Sequence, residues 1–362
     1  MKSRETIFVS SAILLILSSS AFAYRQIIDL GGLGTRYNIA TSVNDKGQIV
    51  GYVYNDFDNP EHVCLFDSTG NGANIDLGIG VPSSISSNGQ IVGMYNGRAC
   101  LFSQNPNIPN MVFGTFGGAR SDATSINSSG QIVGWSEKNS SLTHACLFDN
   151  TGNGNDKDLG ALGGTQSYAY SINDAGRIVG EARNDNASGG WNRACIFSQT
   201  DPALNIDLGS LDNTDSWAFS INNANQIVGG AAISSISTSH ACLFDPTGNG
   251  NNIDLGTLGG IYDESEAFCI NDKGQIVGYS YTDTFRACLF DPSGHGNNID
   301  LNTLIDPSSG WFLTYAYSIN NNGWIVGSGI DPDGYTRAFL LTPEPATILL
   351  FALGGFALRR RK

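Results

Sequence analysis

One phrase governs what this chain can fold into: Ser-Ile-Asn-Asp-x-Gly-Gln-Ile-Val-Gly, or a close variant, occurs seven times. The copies begin at Ser42, Ser84, Ser125, Ser171, Ser220, Cys269 and Ser318. They close on Gly51, Gly93, Gly134, Gly180, Gly229, Gly278 and Gly327, at intervals of 41 to 49 residues. A period of this size is the signature of a repeat architecture. Two further phrases keep step with the first. One is His/Arg-Ala-Cys-Leu-Phe or a variant of it, starting at His62, Arg98, His144, Arg193, His240, Arg286 and Arg337. The other is Ile-Asp-Leu-Gly, centred on Asp29, Asp76, Asp158, Asp207, Asp254 and Asp300, with Val112-Phe113-Gly114 in place of the missing copy.

Each unit reads as four short strands. Strand a runs into Ser-Ile-Asn, and Asn-Asp-x-Gly makes a tight hairpin turn in which Gly supplies the positive φ. Strand b is Gln-Ile-Val-Gly, strand c Ala-Cys-Leu-Phe and strand d Ile-Asp-Leu-Gly. Neighbours such as Ile49 and Val50 must point to opposite faces. Both faces are therefore buried, as in a sheet stacked between two others. At ~1.5–3 kcal/mol per buried aliphatic side chain, such layers can offset the ordering entropy of many Gly.

Four-stranded sheets repeated radially make a β-propeller. One Ile-Asp-Leu strand precedes the first a-b-c set and none follows the last. The segment Tyr24–Leu30 is thus expected to complete the blade begun near Ala316. The expected fold is all-β: a seven-bladed β-propeller of four-stranded blades closed by the N-terminal strand, flanked by a signal peptide and a short C-terminal apolar helix.

The ends read as signals. Lys2 and Arg4, an apolar run from Ile7 to Leu17, and Ala21-Phe22-Ala23 have the three parts of a secretory signal peptide cleaved after Ala23. At the other end, Pro343-Glu344-Pro345 is followed by a largely apolar stretch to Leu358 and then by Arg359, Arg360, Arg361 and Lys362. This stretch is short beside the ~20 residues that a membrane span needs. The arrangement resembles the PEP-CTERM sorting signal. That resemblance implies recognition and processing by an exosortase-like membrane enzyme in a Gram-negative-type bacterium making extracellular polysaccharide. The expected organisation is a signal peptide over 1–23, the repeat body over 24–341 and a sorting tail over 342–362. The expected location is the cell surface or extracellular matrix, with transient inner-membrane contact through the tail. Expected partners are signal peptidase, the sorting enzyme and an exopolysaccharide.

The repeat unit itself resembles the extracellular HAF repeat family, named for His-Ala-Phe, with Cys mostly in the third position here. Leu-Gly-x-Leu-Gly-Gly at Leu159–Gly164 and Leu255–Gly260 is similar to that family's linker. The resemblance implies an exported propeller-like protein and brings no established activity.

Charge and motifs exclude several functions. Without the two terminal segments the body carries 13 basic and 31 acidic residues, a net of −18, which repels acidic polymers and argues against a nucleic-acid partner. Cys64, Cys100, Cys146, Cys195, Cys242 and Cys288 share one repeat position, which Phe339 fills in the last unit. They read as buried free thiols rather than disulfides. His62, His144 and His240 alternate with Arg98, Arg193 and Arg286, which suggests framework residues bonding the next blade. No zinc spacing is present, so neither metal nor cofactor is expected. The Asp67, Asp149, Asp245 and Asp291 loops echo calcium loops but lack the closing bidentate Glu.

No nucleophile elbow, phosphate loop or dinucleotide fingerprint occurs. Glu61, Glu137, Glu181, Glu264 and Glu266 show no special spacing, and no catalytic residue is assigned. The expected role is structural or glycan-binding, with a polysaccharide-processing enzyme as the rival class. Clustered rings without a buried carboxylate pair would favour binding, whereas a buried pair of raised pKa would favour catalysis. The candidate ligand face gathers Trp135, Trp191, Trp217, Trp311, Tyr37, Tyr262 and Tyr335, where b–c and d–a connections emerge together. Flat rings beside Asp and Asn suit sugars. The competing role for these rings is to cap the blade cores.

Overall fold

The computed structural model describes residues 24–55, 60–105, 107–139, 141–185, 190–233, 238–260 and 263–343. The signal-cleavage residues Ala21 and Ala23, Tyr262, Glu344, Pro345, Arg359, Arg360 and Arg361, and the apolar tail segment lie outside the described residues.

The chain is all-β. Among the described residues the only helical turns are three short 3₁₀ segments, Pro202–Leu204, Leu301–Leu304 and Pro307–Ser309. Seven four-stranded antiparallel units follow the repeat, numbered here 1 to 7 with their closing glycines. Unit 1, for example, comprises Tyr37–Val43, Ile49–Tyr54, His62–Phe66 and Ile75–Ile79 as strands a to d. Units 3 and 4 touch through one parallel bridge, Thr143 to Gln166, and no sheet closes on itself. In unit 7, strand d is the N-terminal segment Tyr24–Asp29, which runs antiparallel to strand c, Thr336–Pro343.

Alternation places the core. Ile49 and Val50 are both fully buried, and they enter different apolar clusters on opposite faces of unit 1. Of seven such clusters, six lie between units consecutive in the chain and one joins unit 7 to unit 1. Six contain one repeat cysteine, and the one between units 6 and 7 contains Phe339. Burial raises every one of these thiols; Cys64 and Cys100 are pushed up to about 12. They are therefore protonated and poorly nucleophilic at neutral pH.

The repeat phrase works residue by residue as a link between neighbouring units. Its Ser hydroxyl accepts the backbone N–H of the following unit, as in Ile85 N–H to Ser42 at 3.3 Å and Ile221 N–H to Ser171 at 3.3 Å. Cys269, in the Ser position, directs its Sγ to the Ile319 carbonyl at 3.8 Å. The Asn carboxamide does two jobs. Its Oδ1 closes the a–b turn, while its Nδ2 donates to the turn of the next unit, as from Asn222 to the Asn271 carbonyl at 2.9 Å. Unit 2 has Ser86 there, too short to reach across, and Asn88 substitutes by donating to the Ser128 carbonyl at 2.8 Å.

The same links join the last unit to the first. Val43 N–H donates to Ser318 Oγ at 3.3 Å, and Asn320 Nδ2 donates to the Asn44 carbonyl at 2.9 Å. Strand a of unit 1 packs against strands b and c of unit 7, as strand a of each later unit packs against strand b of the unit before it.

One framework expectation is corrected. His62, His144, Arg193, His240 and Arg286, which open strand c, pair within their own unit with the Asp of strand d, whereas Arg337 pairs with Asp331 of its b–c connection. The separations are 3.0 Å for His62–Asp76, 2.8 Å for His144–Asp158, 2.9 Å for His240–Asp254 and 3.0 Å for Arg286–Asp300. The register explains this: Cys64 lies opposite Asp76, so the side chain two residues earlier on the same face reaches the carboxylate diagonally. Some then extend toward the following unit, as when Arg193 donates to the Thr214 carbonyl at 2.7 Å.

Candidate functional site

Two ends of the assembly differ in chemistry. At one end the seven a–b turns surround a cavity of about 230 Å³ lined by three residues from every unit. Asp174, Asn223, Asp272, Asn321 and Asp45 follow one another around it. Each accepts a hydrogen bond from a backbone N–H of the preceding turn, for example Asn321 N–H to Asp45 Oδ1 at 2.8 Å. These side chains are occupied in holding the turns together. Among the described residues no group of three or more ligating side chains is arranged to hold a metal. The c–d turns at this end use their Asp in the same way. Asp149 takes the Thr151 hydroxyl and N–H, which hold its carboxyl down to about 2.

From the later half of strand a toward the end where b–c and d–a connections emerge, the inner strands of units 3 to 7 are aromatic and acidic. The residue immediately before the repeat Ser is Thr41, Ser83 and Thr124 in units 1 to 3 but Tyr170, Phe219, Phe268 and Tyr317 in units 4 to 7. Those four rings follow one another at centroid separations of 5.6, 6.0 and 5.6 Å. Two residues earlier stand Tyr168, Trp217, Glu266 and Tyr315. Tyr168 meets Trp135 of unit 3 edge-on at 5.9 Å, and Tyr315 meets Tyr279 of unit 6 at 5.5 Å. An unbroken chain of ring contacts thus runs from Trp135 to Tyr317 across five units, and most of its rings are only partly buried.

Carboxyls interrupt this arc. Glu181, on strand b of unit 4 (Ile178–Asn184), is 7 % exposed and accepts the Tyr170 hydroxyl at 2.6 Å. Its pKa is pushed up to about 7, chiefly by burial, against the pull of the Tyr170 hydroxyl and the Trp217 indole. Glu266, on strand a of unit 6 (Glu264–Ile270), is pushed up to about 7 by burial and by neighbouring Glu264. Glu264 itself accepts the Tyr279 hydroxyl at 2.8 Å. Asp122, at the unit 3 end, is raised to about 6 by burial.

The sequence-assigned ring residues separate into groups. Trp135 belongs to the arc by ring contact, and Trp217 through its place beside Glu181 and Glu266. Tyr37 stacks on Tyr54 at 5.0 Å in unit 1. Trp191 stands 38 % exposed in a b–c connection. Tyr335 is exposed and flanked by the Arg36 and Arg337 guanidinium groups at 5.6 Å each. Trp311 packs against the apolar cluster of unit 7. Sequence reading missed Tyr168, Tyr170, Phe219, Phe268, Tyr279, Tyr315 and Tyr317. Their signal was the residue type one and three places before the repeat Ser, or directly after the closing Gly. Glu181, one of the glutamates without special spacing, sits on strand b, which continues through it to Asn184.

Residues 341–362 match the family model of the PEP-CTERM protein-sorting motif. The tail is thus a signal of the kind recognised by exosortase-like enzymes, which implies export and C-terminal processing at the cell envelope. No curated protein matches the chain. The motif begins inside the fold: Leu341, Thr342 and Pro343 are the last residues of strand c in unit 7, and Pro343 lies opposite Tyr24.

Proposed function

We propose that this chain is an exported seven-bladed β-propeller, a non-catalytic glycan-binding protein of the cell surface or exopolysaccharide matrix. Four-stranded units linked first to last by Asn320 and Asn44 support the propeller reading. The resemblance to the HAF repeat and a signal peptide cleaved after Ala23 agree with it. The observation that carries the binding role is the continuous arc of partly exposed rings from Trp135 to Tyr317 across five units. Saccharide rings stack on such faces, and the phenol hydroxyls and carboxyls offer hydrogen bonds.

Strand direction adds an orientation. Tyr24 and Pro343 are paired neighbours at the end that carries the a–b and c–d turns. A tail leaving Pro343 therefore tethers that end to the membrane and turns the aromatic end outward.

Glu181 and Glu266 favour a second reading, a polysaccharide-processing enzyme, because raised carboxyl pKa values suit general acids. Against it, the two carboxyls stand in different units with Trp217 of the intervening unit between them. A glycan array probed with residues 24–343, followed by product analysis of every hit, tests both. The binding reading requires a hit that persists unmodified and is lost in Trp217→Ala and Tyr315→Ala. Released fragments would establish the enzyme reading, and an array without hits would refute both.

A further inference from the structure

We propose that the aromatic end contains a subsite for a cationic amine, built from Glu266 and Glu181 around Trp217, so that the preferred glycan bears free amino groups. This proposal rests on the glycan-binding reading and names its substrate class.

The three residues come from consecutive units. Trp217 is on strand a of unit 5 (Ser216–Ile221), between Glu181 of unit 4 and Glu266 of unit 6. Gly230 makes room for the second carboxylate. A Cβ there would meet Glu266 Cγ at 3.3 Å, Trp217 Cε3 at 3.4 Å and Glu266 Oε1 at 3.5 Å, so the glutamate lies against the space that a side chain would fill. Unit 4 has Glu181 itself at the position equivalent to Gly230.

Both carboxyls lack a counter-charge. Glu181 Oε1 takes the Tyr170 hydroxyl and the Trp217 indole N–H lies beside the carboxyl, but both donors are neutral, and Oε2 is buried without a hydrogen bond of good geometry. Among the described residues no donor and no basic side chain bonds to the Glu266 carboxylate. Tyr170, Trp217 and Asp215 face Glu181, while Glu264, Tyr279, Tyr315 and Tyr170 face Glu266, and none of these is basic. Arg183, two residues beyond Glu181 on strand b, lies against Gly190 in the b–c connection.

A carboxylate withdrawn from water without a cation is costly, and so is a buried acceptor without a donor. An ammonium group supplies both the missing charge and the missing donors. The surrounding ring faces attract it further through their quadrupoles. A neutral sugar would stack on the same rings but leave the charges unpaired, and an anionic one would be repelled by them and by the body's net charge of −18. Burial also raises both carboxyls toward neutrality, so at a pH where they are protonated and the amine is charged a bound ammonium displaces a proton, while at higher pH the amine's own loss of charge weakens binding.

The test is isothermal titration of residues 24–343 with a glucosamine trisaccharide and with its N-acetylated counterpart, in buffers of different ionisation enthalpy. The expected result is binding of the free amine at least ~10-fold tighter, about 1.4 kcal/mol, with proton release. Glu266→Gln and Glu181→Gln should each remove that preference while circular dichroism and the melting temperature show an intact fold. Equal affinity for the two trisaccharides, or a preference that survives in a folded Glu266→Gln protein, overturns the amine assignment and leaves glycan binding standing. Failure of both trisaccharides together with an empty glycan array overturns the glycan-binding reading and the amine site with it.

Discussion

Two adjacent glycines on strand b of unit 5 should differ sharply in their tolerance of the same methyl group. Gly229 closes the repeat phrase and faces a β-bulge between Ala218 and Ser220 on strand a. The bulge aims the Trp217 carbonyl at the place of the absent side chain, so a Cβ on Gly229 would lie 1.8 Å from that oxygen, 2.9 Å from Trp217 C and 3.0 Å from Phe219 N. Restoring a 3.0 Å contact requires the backbone of strand a to retreat by about 1.2 Å. That movement pulls on the Ser220 link to unit 6 and the Asn222 link beyond it. Overfilling a packed core costs ~1–3 kcal/mol when side chains can yield, so a backbone clash belongs at the upper end or above. The entropic gain of ~0.4–1 kcal/mol from losing a glycine in the unfolded chain offsets little of it. Gly230→Ala is the internal control. Its contacts, at 3.3 to 3.5 Å, are with the Glu266 side chain and the Trp217 ring edge. We expect Gly229→Ala to lose ~2–3 kcal/mol and Gly230→Ala to stay within ~0.5 kcal/mol of the parent, by equilibrium urea unfolding of residues 24–343 followed by tryptophan fluorescence. Equal stabilities for the two variants would refute the bulge argument, which applies equally to the other six closing glycines, whose Cβ would lie 1.9 to 2.1 Å from a strand a carbonyl oxygen.

Glu181→Gln should flatten the pH dependence of stability. The folded protein holds a proton on Glu181 more tightly than the unfolded chain does, so stability is fully present below the ordinary carboxyl range and is lost as pH rises through about 7. At ~1.4 kcal/mol per tenfold change in proton affinity, the variant should gain up to ~3 kcal/mol over the parent at pH 8 and nothing at pH 4; a constant difference across that range would contradict the assignment. Thiol titration without reductant should find the six repeat cysteines silent toward a disulfide reagent in the native protein and reactive after denaturation, whereas three disulfides would overturn their placement in the cores. Replacing Pro343, Glu344 and Pro345 together with Ala should leave the tail uncut in a host with the sorting enzyme, and normal processing would reduce the motif to a linker.

Much of the framework was legible because the same physics repeats seven times. The Ser, Asn and closing Gly of each phrase keep the same roles from unit to unit, so their types hardly vary. Where the type changes, as at Cys269 or Ser86, the bond changes with it. The core role of the cysteines followed from a single Phe339 at their position. The partner of His62 and its counterparts was hidden because it depends on the register between strands c and d, which only the pairing of Cys64 with Asp76 reveals. The aromatic arc was hidden for the opposite reason. Its positions differ from unit to unit, with Thr41, Ser83 and Thr124 standing where Tyr170, Phe219, Phe268 and Tyr317 stand later, so reading for what recurs passes over them. Glu181 was missed because strand b outlasts its repeat phrase by four residues.

The central claim is that the first and last units are neighbours, which makes the aromatic arc one shared rim rather than a ribbon along a stack. Pulsed electron–electron spectroscopy between spin labels on Lys46→Cys and Asn322→Cys measures this directly, because the native repeat thiols are buried and the Asn322 side chain donates to the Asp45 carbonyl at 2.8 Å. The account predicts a distance set by the label arms alone. In an open stack, units 1 and 7 would be separated by six sheet spacings of about 10 Å, so a distance near ~60 Å would contradict it.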